Sequence, residues 1–193
     1  MIEKELKIML SSYQYSELLK YFDNGTSKKH KNYYFDDEVY SLFKADITCR
    51  IREKGNSFFL QVKCPLESGS TYVQKEEYTV EINSFSNTLD IFSFSLSNLP
   101  LIDCGSLGVK GVLETLRYKK ELDNQTIIFL DKNYYLDVVD YELEIEFQNE
   151  GRLAMLIREL EKLKLKLRLS DSHKIGKRTR LFNRIFLNES NSL

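Results

Sequence analysis

Apolar and polar residues take turns along much of this chain. In Ile2-Glu3-Lys4-Glu5-Leu6-Lys7-Ile8, residues Glu3, Glu5 and Lys7 share one parity, and Ile2, Leu6 and Ile8 the other. The alternation returns at 47–52, 60–63 and 75–81, and is clearest in Tyr141-Glu142-Leu143-Glu144-Ile145-Glu146-Phe147. Side chains at i and i+2 point to the same side of a strand, so each segment carries one charged wall. A half-buried antiparallel sheet with a wet polar face gives the same pattern, and for any single strand that is the simpler reading. Sorting by sign favours more. Arg50, Arg52, Lys63 and Lys7 stand against Glu3, Glu5, Glu144 and Glu146. Such strands suit a barrel whose lumen is the charged side.

Between these strands the pattern predicts helices. Ser11 and Ser12 offer caps to a helix over 13–22, where Leu18, Leu19 and Phe22 form an apolar stripe; Asp23-Asn24-Gly25 ends it. A short aromatic strand at 32–36 and a turn or helix at 37–44 follow, then strands at 47–53 and 57–64 joined by the hairpin signal Lys54-Gly55-Asn56. A long strand over about 72–82 leads into an expected helix at 84–96, and residues 101–111 read as a glycine-containing connection. A hairpin around Asp123-Asn124 joins 112–122 to 126–131, and 139–147 is the last strand. An amphipathic helix at 152–163 and a terminal helix over 172–186 complete an α+β chain.

Composition narrows the function. At 193 residues the chain suits one large domain, or one domain with a helical appendage. A formal charge of -1 gives no overall drive toward nucleic acid or membrane. The charge is unevenly spread: from Gly151 onward there are 11 Lys/Arg against 4 Asp/Glu, leaving 17 and 25 of the totals of 28 and 29 before it. A basic tail of that kind can bind nucleic acid. The favoured alternative is that it solvates helices or reaches anions held by the body. Cys49, Cys64 and Cys104 lack metal-ligand spacing and read as buried apolar residues in a reducing compartment. With no signal peptide and no membrane-length apolar run, the expected location is cytoplasmic.

Several constellations carry no chemistry. Residues 105–111 lack the spacing of a phosphate loop, and His30 and His173 have no ligand-spaced partner for zinc. No nucleophile-elbow serine or Cys/His pair is present. Three features survive. Glu3 and Glu5 stand about 7 Å apart on one strand face and can ligate a hard divalent cation, with Lys7 placed to meet the anion it carries. Arg50 and Arg52, with Lys63 across the hairpin, repel one another unless they share an anion, and the arginine fork suits phosphate oxygens. Glu142, Glu144 and Glu146, beside Asp131, need a cation or a Lys/Arg cluster to neutralise them; Glu142 reads equally well as a solvated surface residue. Together they describe a site for a metal-bound polyphosphate.

In these motifs and their order the chain resembles the CYTH superfamily, the triphosphate tunnel metalloenzymes. That group includes inorganic triphosphatases, thiamine triphosphatases and class IV adenylate cyclases. Glu3-Lys4-Glu5-Leu6-Lys7 matches its N-terminal E-x-E-x-K signature, Arg50-Ile51-Arg52 its R-x-R strand, and Lys63 the lysine of the next strand. Residues 32–36 and 42–45 are similar to its second strand and the turn after it. Residues 77–82 resemble its acidic fourth strand, with Glu77 and Glu81 present but Thr79 where a further glutamate is frequent. Arg117 falls where a tunnel arginine is expected, and Lys119 shares its parity. Asp131, Glu144 and Glu146 resemble the later acidic strands, and Ser172-His173-Lys174 the segment that supplies a lysine to one tunnel mouth.

The resemblance implies one tunnel-barrel domain over 1–193: a closed eight-stranded antiparallel barrel with a charged lumen and helices outside, the C-terminal helical segment lying at about 149–187. The apolar parity of Leu6, Ile8, Ile51, Leu60, Val62, Leu143 and Ile145 would pack beneath those helices. It further implies a metal-dependent phosphohydrolase acting on a triphosphate, most simply inorganic tripolyphosphate. Lys7, Arg50, Arg52, Lys63, Lys75, Arg117 and Lys174 would hold phosphoryl oxygens. Glu3, Glu5, Asp131, Glu144 and Glu146 would bind one or two Mg²⁺ or Mn²⁺ ions. An adenylate cyclase on the same fold is the first alternative, then a thiamine triphosphatase, then a non-catalytic polyphosphate, nucleotide or RNA-binding module. Retention of both carboxylate pairs argues against the last. A homodimer is a fair prior.

Overall fold

The computed structural model describes residues 2–22, 27–66, 73–90, 106–162 and 175–191, with the backbone alone of residues 2, 3, 161 and 162. Its strands are β1 (Ile2–Leu10), β2 (Ser27–Asp36), β3 (Thr48–Lys54), β4 (Ser57–Pro65), β5 (Val73–Ile82), β6 (Thr88–Leu89), β7 (Leu107–Asp123), β8 (Thr126–Tyr135) and β9 (Val138–Phe147). The helices are α1 (Ser12–Leu19), α2 (Ser41–Lys44), α3 (Glu150–Lys162) and α4 (Lys177–Ser190), with a 3₁₀ turn at Lys20–Phe22 after α1. The sheet runs β2-β3-β4-β5-β1-β9-β8-β7-β6, and pairing of β2 with β7 closes eight of these strands into a barrel. Every pairing is antiparallel. The alternation therefore sorts an inside from an outside.

The apolar parity faces outward, as the sequence pattern requires. Leu6, Ile8, Leu143 and Ile145 form a core with Tyr15 and Leu18 of α1, Phe22, and Leu153, Leu156 and Leu160 of α3. Ile51, Leu60 and Val62 form a second core with Cys49, Cys64, Leu42 of α2 and Leu89 of β6. Helix α1 starts where Ser11 predicts: Gln14 N donates to Ser11 Oγ at 3.2 Å while Ser11 N donates to Gln14 Oε1 at 2.8 Å.

Three expectations are corrected. Residues 84–90 are bends and the short strand β6 rather than a helix; residues 91–96 lie outside the described residues. Residues 107–111 are not a connection but the first part of the 17-residue β7, which pairs with both β2 and β8. Helix α4 starts at Lys177, because Gly176 before it is extended, whereas the sequence placed its start at 172; residues 172–174 lie outside the described residues.

Gly111 explains the glycine in β7. It belongs to the inward parity, and α4 lies directly over it. A Cβ there would come 2.9 Å from Leu181 Cδ2 and 3.0 Å from Ile185 Cδ1. Leu181 and Phe182 enter a third core with Tyr34, Leu113 and Tyr135, which are also inward-facing strand residues. Helix α4 thus stoppers one end of the barrel.

Because Leu181 is fully buried, it has little room to yield. Gly111→Val should therefore destabilise the protein by roughly 1–3 kcal/mol through overpacking. Gly108→Ala, whose Cβ would meet nothing within 4 Å, should be near neutral. Urea unfolding midpoints of the two variants check this.

Candidate active site in the barrel lumen

The lumen encloses about 1120 Å³. Its basic wall is built by β3, β4 and β5. Arg50 is buried and donates from Nε to Gln61 Oε1 at 3.0 Å; Arg52 donates from Nε to Asn32 Oδ1 at 2.9 Å. Among the described residues neither arginine has a carboxylate within ion-pair distance. Burial, with Arg50 and Arg117 nearby, pulls the Arg52 guanidinium down from 12.5 to about 9, the mark of a site short of negative charge. Lys63 sits across the hairpin as expected, 2.8 Å from Glu77, which Gln61 also bonds at 2.7 Å. Lys75 reaches Asp46 at 3.1 Å.

The acidic wall lies opposite, on β1, β8 and β9. Register places Glu5 beside Glu146 and Lys7 beside Glu144. Arg117 grips Asp131 with Nε at 2.8 Å and Nη2 at 2.6 Å, and reaches Glu144 with Nη2 at 2.7 Å. Its guanidinium stacks 4.1 Å from the Phe129 ring centroid.

Helix α4 then adds cations that sequence reasoning missed. Lys177 Nζ lies 2.9 Å from Asp131, 2.7 Å from Glu142 and 3.0 Å from Glu144. Arg180 bridges Asp140 at 2.8 Å and Glu142 at 2.6 Å, and Arg178 bonds Asp46 at 2.8 Å and the Ile47 carbonyl. Burial opposes ionisation of Asp131 and Glu144, yet Arg117 and Lys177 outweigh it and hold both carboxyls below their usual range. The same carboxylates hold Lys177 up against its own burial.

The structure brings most of the sequence-derived set together. Glu5, Lys7, Arg50, Arg52, Lys63, Lys75, Glu77, Arg117, Lys119, Glu144 and Glu146 line one lumen, and Asp131 lies fully buried in its wall. Glu142, which the sequence left as readily on the surface, is fully buried, because α4 covers it. Glu81 is exposed and stays outside the lining, and Lys119 is half-exposed and tied to Glu121. The Glu3 side chain and Lys174 lie outside the described residues. The basic surplus after Gly151 was the available signal for Lys177, Arg178 and Arg180: these three do reach anions held by the body.

Ligand-capable oxygens of Asp131, Glu142 and Glu144 lie within 4.8 Å of one another. Such hard donors fit Mg²⁺ or Mn²⁺ in kind. Lys177 and Arg117 satisfy much of that set, which leaves Glu5, Glu144 and Glu146 nearest the open lumen for an ion.

The site also sets acid stability. Despite burial, Lys63 and Arg50 depress Glu77 from 4.5 to about 2. A carboxyl depressed in the fold stabilises above its unfolded pKa, and that contribution is lost as pH falls toward the folded value. Glu77→Gln should therefore be less stable than the parent near neutral pH, and the gap should narrow as pH falls from 4.5 toward about 2. Urea midpoints across that window measure it. Asp131 and Glu144 act with the same sign.

Comparison with known proteins agrees with this architecture. The chain is 30% identical over 165 residues to YjbK of Bacillus subtilis (strain 168), which carries a provisional triphosphatase name; the match covers 79% of this chain and 82% of YjbK. A solved Hippeastrum protein, HpAC1, provisionally named an adenylyl cyclase and described as having a dominant triphosphatase activity, superposes with a TM-score of 0.73 at 19% identity. That superposition covers 94% of this chain and 96% of HpAC1. A Bacillus halodurans protein with a provisional adenylate cyclase name gives 0.68 at 24% identity, covering 93% and 97%. The profile of the CYTH domain matches residues 1–177. With the E-x-E-x-K strand, the two-arginine strand and the closed charged barrel in place, this chain belongs to the CYTH domain family.

Proposed function

We propose that this protein is a divalent-metal-dependent phosphohydrolase that cleaves a triphosphate, most simply inorganic tripolyphosphate, into diphosphate and phosphate. The observation that carries the reading is the basic wall. Arg50 and Arg52 are buried or part-buried in an enclosed lumen, lack a carboxylate partner among the described residues, and face an acidic wall whose Asp131, Glu142 and Glu144 already pair with Arg117 and Lys177. Buried cations left in that state call for a polyanion. The triphosphatase name of YjbK, 30% identical, supports the same class.

The chain's own residues divide the work. Arg50, Arg52, Lys63 and Lys75 would bind the non-bridging oxygens, with the two forks making paired bonds. Lys7, beside Glu5 and Glu144, would meet the phosphoryl group nearest the acidic wall. Water attacks the phosphorus of that group, the bridging P–O bond breaks, and diphosphate leaves. Such transfer needs positioning and charge stabilisation more than covalent chemistry. A cation held by Glu5, Glu144 and Glu146, backed by Asp131 and Glu142, would supply charge neutralisation at the phosphoryl oxygens. The enclosing barrel strengthens each of these interactions by limiting water.

A release panel with tripolyphosphate, ATP and thiamine triphosphate, each with Mg²⁺ and Mn²⁺, tests the reading. Phosphate should appear fastest from tripolyphosphate and only with a divalent ion. Cyclic AMP formed faster than phosphate from any triphosphate would replace this reading with a cyclase. Glu5→Gln should lower turnover on the order of a hundredfold or more with little change in unfolding midpoint; an unchanged rate and metal dependence would remove the E-x-E strand from the site. Arg52→Ala should cost roughly a hundredfold in kcat/KM on tripolyphosphate. Lys119→Ala should cost far less, since Lys119 is half-exposed and paired with Glu121.

A further inference from the structure

His30 belongs to neither wall as described, yet it lies inside the barrel. It shares the inward parity of β2 with Asn32 and Tyr34, lines the lumen and is only 8% exposed. Register puts it opposite Thr115 of β7, one inward position from Arg117, and its neighbour Asn32 is bonded to Arg52. The two arginines thus flank it. Its Nδ1 is fully buried and has no hydrogen-bond partner among the described residues. An unsatisfied buried nitrogen costs about 1–3 kcal/mol, and a phosphate oxygen entering between Arg52 and Arg117 would give it a partner.

We propose that His30 is a phosphate ligand of this tunnel, neutral in the free protein and protonated when a polyphosphate chain occupies the lumen, so that binding takes up one proton from solvent. The proposal rests on the triphosphate reading above. The charged groups facing His30 fix the direction. Arg52 and Lys54 on β3 and Arg117 on β7 oppose a charged imidazole, Asp131 on β8 favours it, and Lys28 lies along its own strand. Together with burial, named first among the causes, they pull its pKa from 6.5 to about 3. Each cation that opposes protonation is one that a bound polyanion would neutralise. Once anionic oxygens lie against the ring, the opposing field reverses and the imidazolium donates a charge-assisted bond. A group whose pKa rises on binding strengthens that binding at low pH, and the gain is lost as pH rises through the pKa of the complex. The affinity for polyphosphate should therefore carry a pH dependence that lysine and arginine alone do not supply near neutrality.

The chain has 2 histidines, so ¹⁵N-histidine labelling gives two imidazole patterns, and His30→Gln assigns one of them. Tripolyphosphate with EDTA is the probe, and calorimetry follows its binding. At about pH 6 the His30 nitrogens should show the neutral pattern alone and the protonated pattern with saturating tripolyphosphate. His30→Gln should weaken tripolyphosphate binding roughly tenfold at that pH, with the difference closing by about pH 8.5, where the ring is neutral in both states. A purely structural histidine would weaken binding equally at both pH values. Binding with His30 still neutral, or a free-state ring already protonated at about pH 6, overturns the proposal and leaves the tunnel reading standing. Tripolyphosphate that fails to bind with EDTA overturns the proposal, and failure to bind with Mg²⁺ as well overturns the tunnel reading.

Discussion

The ammonium of Lys177 lies within 3.0 Å of carboxylates from Asp131, Glu142 and Glu144, and the closed end of the barrel depends on that contact. Three carboxylates converging where water is scarce would drive one another toward protonation. Lys177 and Arg117 remove that penalty and Arg180 relieves Glu142 further. Breaking such a buried network by deleting one partner costs about 3–5 kcal/mol, because the remaining charge is stranded. The acidic wall and the docking of α4 are therefore one structural fact.

The helix start shows how strong this constraint is. Lysine and arginine at a helix N-terminus are disfavoured by the dipole, and α4 has no acidic residue in its first turn and no side-chain cap. Local rules alone would not begin a helix there. The carboxylates of Asp46, Asp131, Asp140 and Glu142 override them, while Leu181 and Phe182 supply the apolar contact that seats the next turn against Tyr34 and Leu113. Charge fixes where α4 points, and packing over Gly111 fixes how close it comes.

The consequence for function is an asymmetric lumen. One wall has Asp131, Glu142 and Glu144 already paired with Arg117 and Lys177; on the other, among the described residues, Arg50 and Arg52 bond the amide side chains of Gln61 and Asn32. An anion entering the barrel meets net attraction from the basic side, where among the described residues no carboxylate lies within ion-pair distance of those forks. His30, set between Arg52 and Arg117, registers the same imbalance.

The sequence by itself determined most of the strands, their parity and most residues of both walls. Alternation in 2–8, 47–52 and 141–147 dictates which side chains share a face, and the sign of the charge then follows from residue identity. Arg50, Arg52, Lys63, Glu5, Glu144 and Glu146 were legible for that reason. Local signals also placed the cap at Ser11 and the turns at Gly55 and Asn124. Tertiary structure decided the rest. Gly108 and Gly111 read as a loop because glycine weakens a strand locally, yet Gly111 sits in β7 to admit α4. A helix at 84–96 fitted local propensity, while edge pairing with β7 and burial of Leu89 on the barrel set the chain as β6. Glu142 became fully buried, Lys177 and Arg178 became lumen residues, and Arg180 became a partner of Asp140 and Glu142, only when a helix more than thirty positions away covered the barrel end. No period or motif encodes that meeting, since it depends on which charges the closed barrel leaves unpaired.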